Sequence, residues 1–132
     1  MLKPLTRAES SRYTQTSRHA EVMAFVSALG TRNDPRLHIT DFGESPEGRR
    51  LPLLVLSSEG VHTPAAARAL GRSVVFIICG IHVGEVEGKE ASLMLVRDLL
   101  DGHAAELLER LTLVVVPLFN PDGNDRIDAG HH

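Results

Sequence analysis

Ser73-Val-Val-Phe-Ile-Ile-Cys79-Gly80-Ile-His82-Val-Gly-Glu85-Val-Glu-Gly-Lys89-Glu90 decides how this chain folds. Its six consecutive apolar residues, Val74 to Cys79, read as a strand covered on both faces. The run ends at Gly80, and Gly84 and Gly88 follow at four-residue steps, so the backbone can turn sharply there. A helix then takes over. Gly88 to Leu100 places Leu93, Met94, Val96, Leu99 and Leu100 inward at helical spacing and closes at Asp101-Gly102. Leu111 to Phe119 is a second buried strand, with Pro117 near its end, where the missing backbone donor does least harm. Strand, helix and strand at this spacing form a parallel crossover unit.

Upstream, Arg18 to Leu29 carries Val22, Met23, Phe25, Val26 and Leu29 on one helical face. Gly30 and the breaker Asn33-Asp34-Pro35 end that helix. Leu37 to Thr40 alternates like a half-buried strand, Gly43-Glu-Ser45-Pro46-Glu-Gly48 is turn chemistry, and Leu51 to Leu56 is a second strand. The two strands make a hairpin. Ser58 to Arg72, rich in Ala, Gly and Pro, reads as a surface stretch. Residues 1–17 are polar and hydroxyl-rich and read as a leader draped over the domain formed by residues 18–132. The expected fold is α/β. An N-terminal antiparallel hairpin lies beside parallel central strands in a mixed sheet, with helices on both faces.

A chain of 132 residues is long enough to bury one apolar core. Charged residues at 23% and apolar ones at 42% are globular proportions, neither disordered nor membrane-like. No apolar stretch approaches the roughly 18 residues that would span a bilayer, so no membrane partner is expected. The net charge is -3 and the arginines are scattered, only Arg49-Arg50 being adjacent, which argues against a nucleic-acid partner. The start lacks the apolar core of a secretory signal, and Cys79 is the only cysteine, so a cytoplasmic setting is expected. Cys79 itself reads as a small buried apolar residue.

Chemistry enters at the end of the first apolar run. His82 follows the carboxyl end of its strand, where open α/β sheets place their ligands. Glu85 comes three positions later, an offset that lets a tight turn aim both side chains at one point. Imidazole nitrogen and carboxylate oxygen are donors that zinc takes readily. The spacing alone decides nothing, because His103-Ala-Ala-Glu106 repeats it on what reads as a solvated linker. At His82 the plain alternative is a capped helix start. Glu87 and Glu90 read as first-turn acids that favour the helix macrodipole. Phe119-Asn120-Pro121-Asp122-Gly123 is by itself a turn. Its strand should run beside the one carrying His82, so both loops should emerge at the same sheet edge.

Taken in order, these segments resemble the zinc carboxypeptidase family, the carboxypeptidase A-like metallopeptidases. Gly43-x-Ser45-x-x-Gly48-Arg49 before an apolar strand is similar to the family's early hairpin. Gly80-Ile-His82-Val-Gly-Glu85 is similar to its first zinc-ligand motif, and Val116-Pro117-Leu-Phe-Asn120-Pro121-Asp122-Gly123 to its Asn-Pro-Asp-Gly segment. The resemblance runs from about Arg18 to Arg126. It implies that His82 and Glu85 are two of three protein ligands to one Zn2+ ion, within the His₂Glu set of carboxypeptidase A. It also implies a substrate, a peptide with a free C-terminus, whose last peptide bond is hydrolysed by a zinc-activated water. In the family a glutamate takes the water proton and an arginine grips the terminal carboxylate.

The resemblance places the third ligand, the substrate-binding arginine and the general-base glutamate further downstream, whereas this chain ends nine residues past Gly123. Those catalytic positions are therefore expected beyond His132. Arg126 lies too near the motif to align with the substrate arginine. His131 and His132 read as a frayed tail rather than a third ligand. A zinc site with two protein ligands should be weak. Two alternatives stay open: a zinc deacylase of the succinylglutamate desuccinylase and aspartoacylase type, or a non-catalytic remnant domain that keeps the fold. The hairpin motif and Asn-Pro-Asp-Gly favour the peptidase. Without the family's later strands an edge and an apolar face of this sheet would be open, which predicts self-association or marginal stability of the 132-residue chain.

Overall fold

The computed structural model describes residues 3–126. Its centre is a four-stranded mixed sheet in the order β1-β2-β4-β3, with β1 at Leu37–Glu44, β2 at Arg50–Leu56, β3 at Ser73–Ile78 and β4 at Leu111–Val116. The expected hairpin is present: β1 and β2 pair antiparallel, Ile39 opposite Leu54 and Leu37 opposite Leu56. β2 also pairs antiparallel with β4, placing Leu54 opposite Val115 and Leu56 opposite Leu113. β3 and β4 are parallel in register from Ser73–Leu111 to Ile78–Val116, the pairing that the crossover reading predicts.

Because strand side chains alternate, this register gathers Leu54, Leu56, Leu113 and Val115 on one face of the sheet. Two helices close over that face, α2 (His19–Gly30) and α4 (Glu87–Leu100). Val22, Phe25, Val26 and Leu29 of α2 and Leu93, Val96, Leu99 and Leu100 of α4 form a single core with the sheet residues, joined by Leu108 and Leu118. Full burial of each such side chain stabilises the fold by about 1.5–3 kcal/mol. The backbone N–H of Arg18 donates to the Glu21 carboxylate at 3.1 Å, which closes the start of α2. A short helix, α3 (Pro64–Ala69), lies over the opposite face, where Ala67, Leu53, Val55, Val74, Thr112 and Val114 border one concavity. Helices therefore flank the sheet on both sides. α3 lies in the stretch read as mere surface. Its start is nevertheless well specified: Thr63 accepts from Ala66 N–H at 3.1 Å and Pro64 takes the first helical position.

Two details differ from the sequence reading. Of the two parallel strands only β4 is interior; among the described residues β3 lies at one edge of the sheet, and its Val74, Val75, Phe76 and Ile78 are between 39% and 56% exposed. An apolar run records what a strand is suited to pack against, not whether that cover is present, and among the described residues β3 has a neighbour on one side only. The expectation of an open edge and apolar face holds among the described residues, and that of cover on both faces of β3 does not. β4 also stops at Val116, short of Phe119, because Pro117 has no N–H to continue the ladder.

The N-terminal segment is tied down from residue 3 onward. Its single-turn helix α1 (Arg7–Ser10) is capped reciprocally by Thr6 and Glu9. From α4, Arg97 reaches across to the Pro4 carbonyl at 3.1 Å and to the Glu9 carboxylate at 2.6 Å. Among the described residues no helix is long and apolar enough to cross a membrane.

Candidate metal centre

β3 and β4 end side by side, and the chain keeps them together beyond their last ladder bonds. Cys79 N–H donates to the Val116 carbonyl at 2.9 Å, Phe119 N–H to Cys79 at 2.8 Å and Asn120 N–H to Gly80 at 2.9 Å. The loop carrying His82 and the Asn-Pro-Asp-Gly turn thus leave the same sheet edge in contact, as their sequence positions require. Gly80 makes the turn with φ +66°, and a Cβ there would sit 2.7 Å from the Leu118 side chain. Cys79 is buried and unpaired, and burial raises its thiol pKa above the usual value.

His82 and Glu85 occupy a tight turn just ahead of α4, closed by Glu85 N–H donating to the His82 carbonyl at 3.2 Å. Their side chains converge, with His82 Nδ1 3.1 Å from Glu85 Oε1. Both are open to solvent, at 76% and 61% exposure. One imidazole nitrogen and one carboxylate oxygen meeting at a sheet's carboxyl edge fit zinc as part of a ligand set. Among the described residues no group of three His, Cys, Asp or Glu side chains could hold a metal, so the pair is not completed there. His131 and His132 lie outside the described residues. His103 and Glu106, which repeat the spacing, are exposed at the start of a 3₁₀ turn at Ala105–Glu109.

The Asn-Pro-Asp-Gly turn opens α5 (Pro121–Asp125), with the Asn120 side chain accepting from Gly123 N–H at 3.1 Å. Asp122 is buried and faces the β1–β2 turn. Its Oδ1 accepts from Ser45 Oγ at 2.7 Å and Arg49 Nη1 at 2.8 Å, and its Oδ2 from Glu47 N–H at 3.1 Å. Burial works against its ionisation, but those donors outweigh it and hold the carboxyl below its usual range. The early hairpin motif and Asn-Pro-Asp-Gly are therefore one structural unit. Arg126, set aside as a substrate arginine, pairs with Glu47.

A second network lies beneath the site. Lys89 is fully buried and donates to the Ser17 carbonyl and to Asn124 Oδ1, while Asn124 Nδ2 donates to the same Ser17 carbonyl. Glu90 is a first-turn acid of α4, as the sequence suggests, and has a further role. It is buried, and its carboxylate accepts from the Ser17 amide, from Ser17 Oγ at 3.1 Å and from Thr16 Oγ1 at 2.8 Å, so it anchors the N-terminal segment. Glu87 remains an exposed first-turn acid. A signal for Lys89 is present in the sequence: it precedes Leu93 and Val96 by four and seven residues, on the buried stripe of α4.

A mixed sheet that presents an imidazole and a carboxylate beyond the carboxyl end of a parallel strand places two donor types that zinc takes where open α/β sheets hold their ligands. The sequence profile of the zinc carboxypeptidase family, peptidase family M14, matches residues 22–131, and the chain belongs to that family. Carboxypeptidase 2 of Trichophyton rubrum is 29% identical over 123 residues, which are 90% of this chain and 22% of that protein. Carboxypeptidase B of Rattus norvegicus is 26% identical over 123 residues, 89% of this chain and 28% of that one. The solved carboxypeptidase A from Helicoverpa armigera shares the fold with a TM-score of 0.71 at 22% identity, over 83% of this chain and 26% of that chain. The metallo-carboxypeptidase from Burkholderia cenocepacia gives 0.63 at 28% identity, over 80% and 27%. The chain spans no more than 28% of the length of any of these four proteins.

Proposed function

We propose that this chain is the N-terminal part of a zinc-dependent metallocarboxypeptidase and that His82 and Glu85 are two of the ligands to its single Zn2+ ion. The observation that carries the reading is the convergence of His82 Nδ1 and Glu85 Oε1 at 3.1 Å on the loop after β3. A zinc ion bound there supplies Lewis-acid polarisation of a scissile carbonyl and activation of water at neutral pH. The part of the chain's own residues is to place the donors: Gly80 turns the backbone, Asn120 fastens the loop, and the start of α4 fixes Glu85 relative to His82. The substrate on this reading is a peptide with a free C-terminus, cleaved at its last peptide bond.

Residues 18–132 then belong to a catalytic domain and residues 1–17 to a leader that packs on it. The general base, the substrate-gripping arginine and the third ligand come from outside the described residues. The proposed compartment is the cytoplasm, supported by a free, buried Cys79. The peptidase is preferred over the zinc deacylase because the matched family and the named relatives are carboxypeptidases.

The test is zinc titration of the 132-residue chain, followed through the histidine ring resonances in NMR spectra. The His82 ring is expected to respond saturably, and the response to disappear in Glu85→Ala. A His82 ring indifferent to zinc overturns the assignment. Turnover of a C-terminal peptide substrate, abolished by a chelator and by His82→Ala, would exclude the non-catalytic remnant. Turnover of an N-acyl amino acid instead would move the reading to the deacylase.

A further inference from the structure

Asp122 is 8% exposed, and both of its oxygens are committed to the hairpin turn, to Ser45 and Arg49 on one side and to the Glu47 amide on the other. A carboxylate so saturated is poorly placed to bind a metal or carry a proton. The next residue in the chain bears directly on the metal loop. Gly123 packs so closely on that loop that a Cβ at this position would lie 2.5 Å from Val83 Cγ2. Asn120 holds the same loop from the other end, its backbone N–H on the Gly80 carbonyl at 2.9 Å and its side-chain amide on the Ile81 carbonyl at 3.3 Å. The residues on either side of His82 therefore rest on the turn that contains Asp122. That turn is fixed in its own right, since Arg49 also reaches Asp125 at 3.4 Å and His19 N–H donates to Asp125 at 2.8 Å.

We infer that Asp122, locked by Ser45 and Arg49 of the β1–β2 turn, is a positioning residue that fixes the His82–Glu85 loop through Gly123 against Val83 and Asn120 against Ile81. The inference deepens the metal-site reading above and rests on it for its functional meaning. Arg49 is the other half of the lock. The sequence motif Gly-x-Ser-x-x-Gly-Arg is then a support for the metal loop built 33 residues or more before it, since its last residue is Arg49 and the loop carries His82. Groups that orient a metal ligand from behind matter nearly as much as the ligand, and their loss typically weakens metal binding by about 10–100-fold.

The experiment compares Asp122→Ala, Asp122→Asn, Arg49→Ala and Arg49→Lys in the 132-residue chain. Two quantities are read: amide hydrogen exchange at Asn120 and Glu85, whose N–H groups bond the Gly80 and His82 carbonyls, and the zinc dissociation constant from the His82 ring. Asp122→Ala and Arg49→Ala are expected to speed exchange at those two amides about tenfold and to weaken zinc about tenfold, at the lower end of such effects. Amides of the β2–β4 ladder should keep their protection. Arg49→Lys, which retains a cationic donor, should recover most of both effects. Unchanged exchange at Glu85 in Asp122→Ala, or an equal rise throughout the sheet, overturns the proposal. If Asp122→Ala does not fold, Asp122→Asn and the Arg49 pair decide it by the same readouts. If the wild-type His82 ring ignores zinc, the metal reading fails while the exchange comparison still judges the positioning.

Discussion

The ammonium group of Lys89 donates to Asn124 Oδ1 at 2.6 Å, and the two residues are 1% and 8% exposed. Burial pulls the Lys89 pKa down to about 8 from 10.5, against the opposing fields of Glu90, Asp125 and Glu21. Below about 8 the folded and unfolded chains both carry this proton, and the buried charge weighs fully against folding. Between about 8 and 10.5 the unfolded chain still holds the proton that the folded one has released, so this group's contribution to stability rises with pH. Lys89→Met should lack that rise. Denaturation of both proteins across this range should give a wild-type-minus-variant difference that climbs with pH; a flat difference would mean that Lys89 keeps its ordinary proton affinity.

Glu9 supports the opposite, acid limb. Burial raises its pKa, but the Arg97 guanidinium and the Thr6 donors outweigh burial and leave it lowered from 4.5. A lowered carboxylate stabilises the fold above its unfolded pKa and loses that contribution as pH falls through the folded value. Glu9→Gln takes one of two carboxylate partners from the Arg97 side chain, 3% exposed, and leaves it Asp98 at 2.9 Å. The expected loss is about 2 kcal/mol at neutral pH, shrinking on acidification below the usual carboxylate range. Urea melts at neutral and at strongly acid pH would show it, and equal losses at both would locate the effect in packing rather than charge.

Gly80→Ala should act on the metal loop and on stability together. The left-handed backbone at Gly80 costs an L-residue about 1–2 kcal/mol, before Leu118 has to move away from the new methyl. Because Asn120 N–H bonds the Gly80 carbonyl, strain here should also displace the His82 turn. A variant that melts like the wild type and keeps its His82 ring shift would show that the turn tolerates another backbone conformation.

The parts of this fold that are legible in the sequence are those written locally. Period and breakers mark α2, α4 and both runs of the crossover, and the turn chemistry of Gly43 to Gly48 marks the hairpin. His82 and Glu85 are visible as candidate donors because the strand end and the three-residue offset are sequence features. Bonds between distant segments leave no such trace. Nothing in one sequence says that Asp122 bonds Ser45 and Arg49, more than seventy residues away. The further role of Glu90 is hidden for the same reason: its place in the first turn of α4 is legible, and only the folded N-terminal segment shows that Thr16 and Ser17 capture its carboxylate. β3 is an edge strand with the composition of a covered one, because apolar composition does not count a strand's neighbours.

That exposed strand carries the last prediction. Phe76 is 56% exposed at the sheet edge, with Val74 at 50% and Ile78 at 40% on the same face of β3. An edge with unpaired backbone groups and an apolar face is a template for pairing with another chain. The 132-residue chain should therefore self-associate, its sedimentation coefficient rising with concentration. Phe76→Lys puts a charge on that face, the device by which natural edges resist pairing, and should shift the association to higher concentration at low salt. Screening by added salt should restore part of it in the variant and leave the wild type little changed, because the wild-type contact is apolar. A compact monomer at every concentration, with a cooperative melt, would show that β3 is protected despite its exposure.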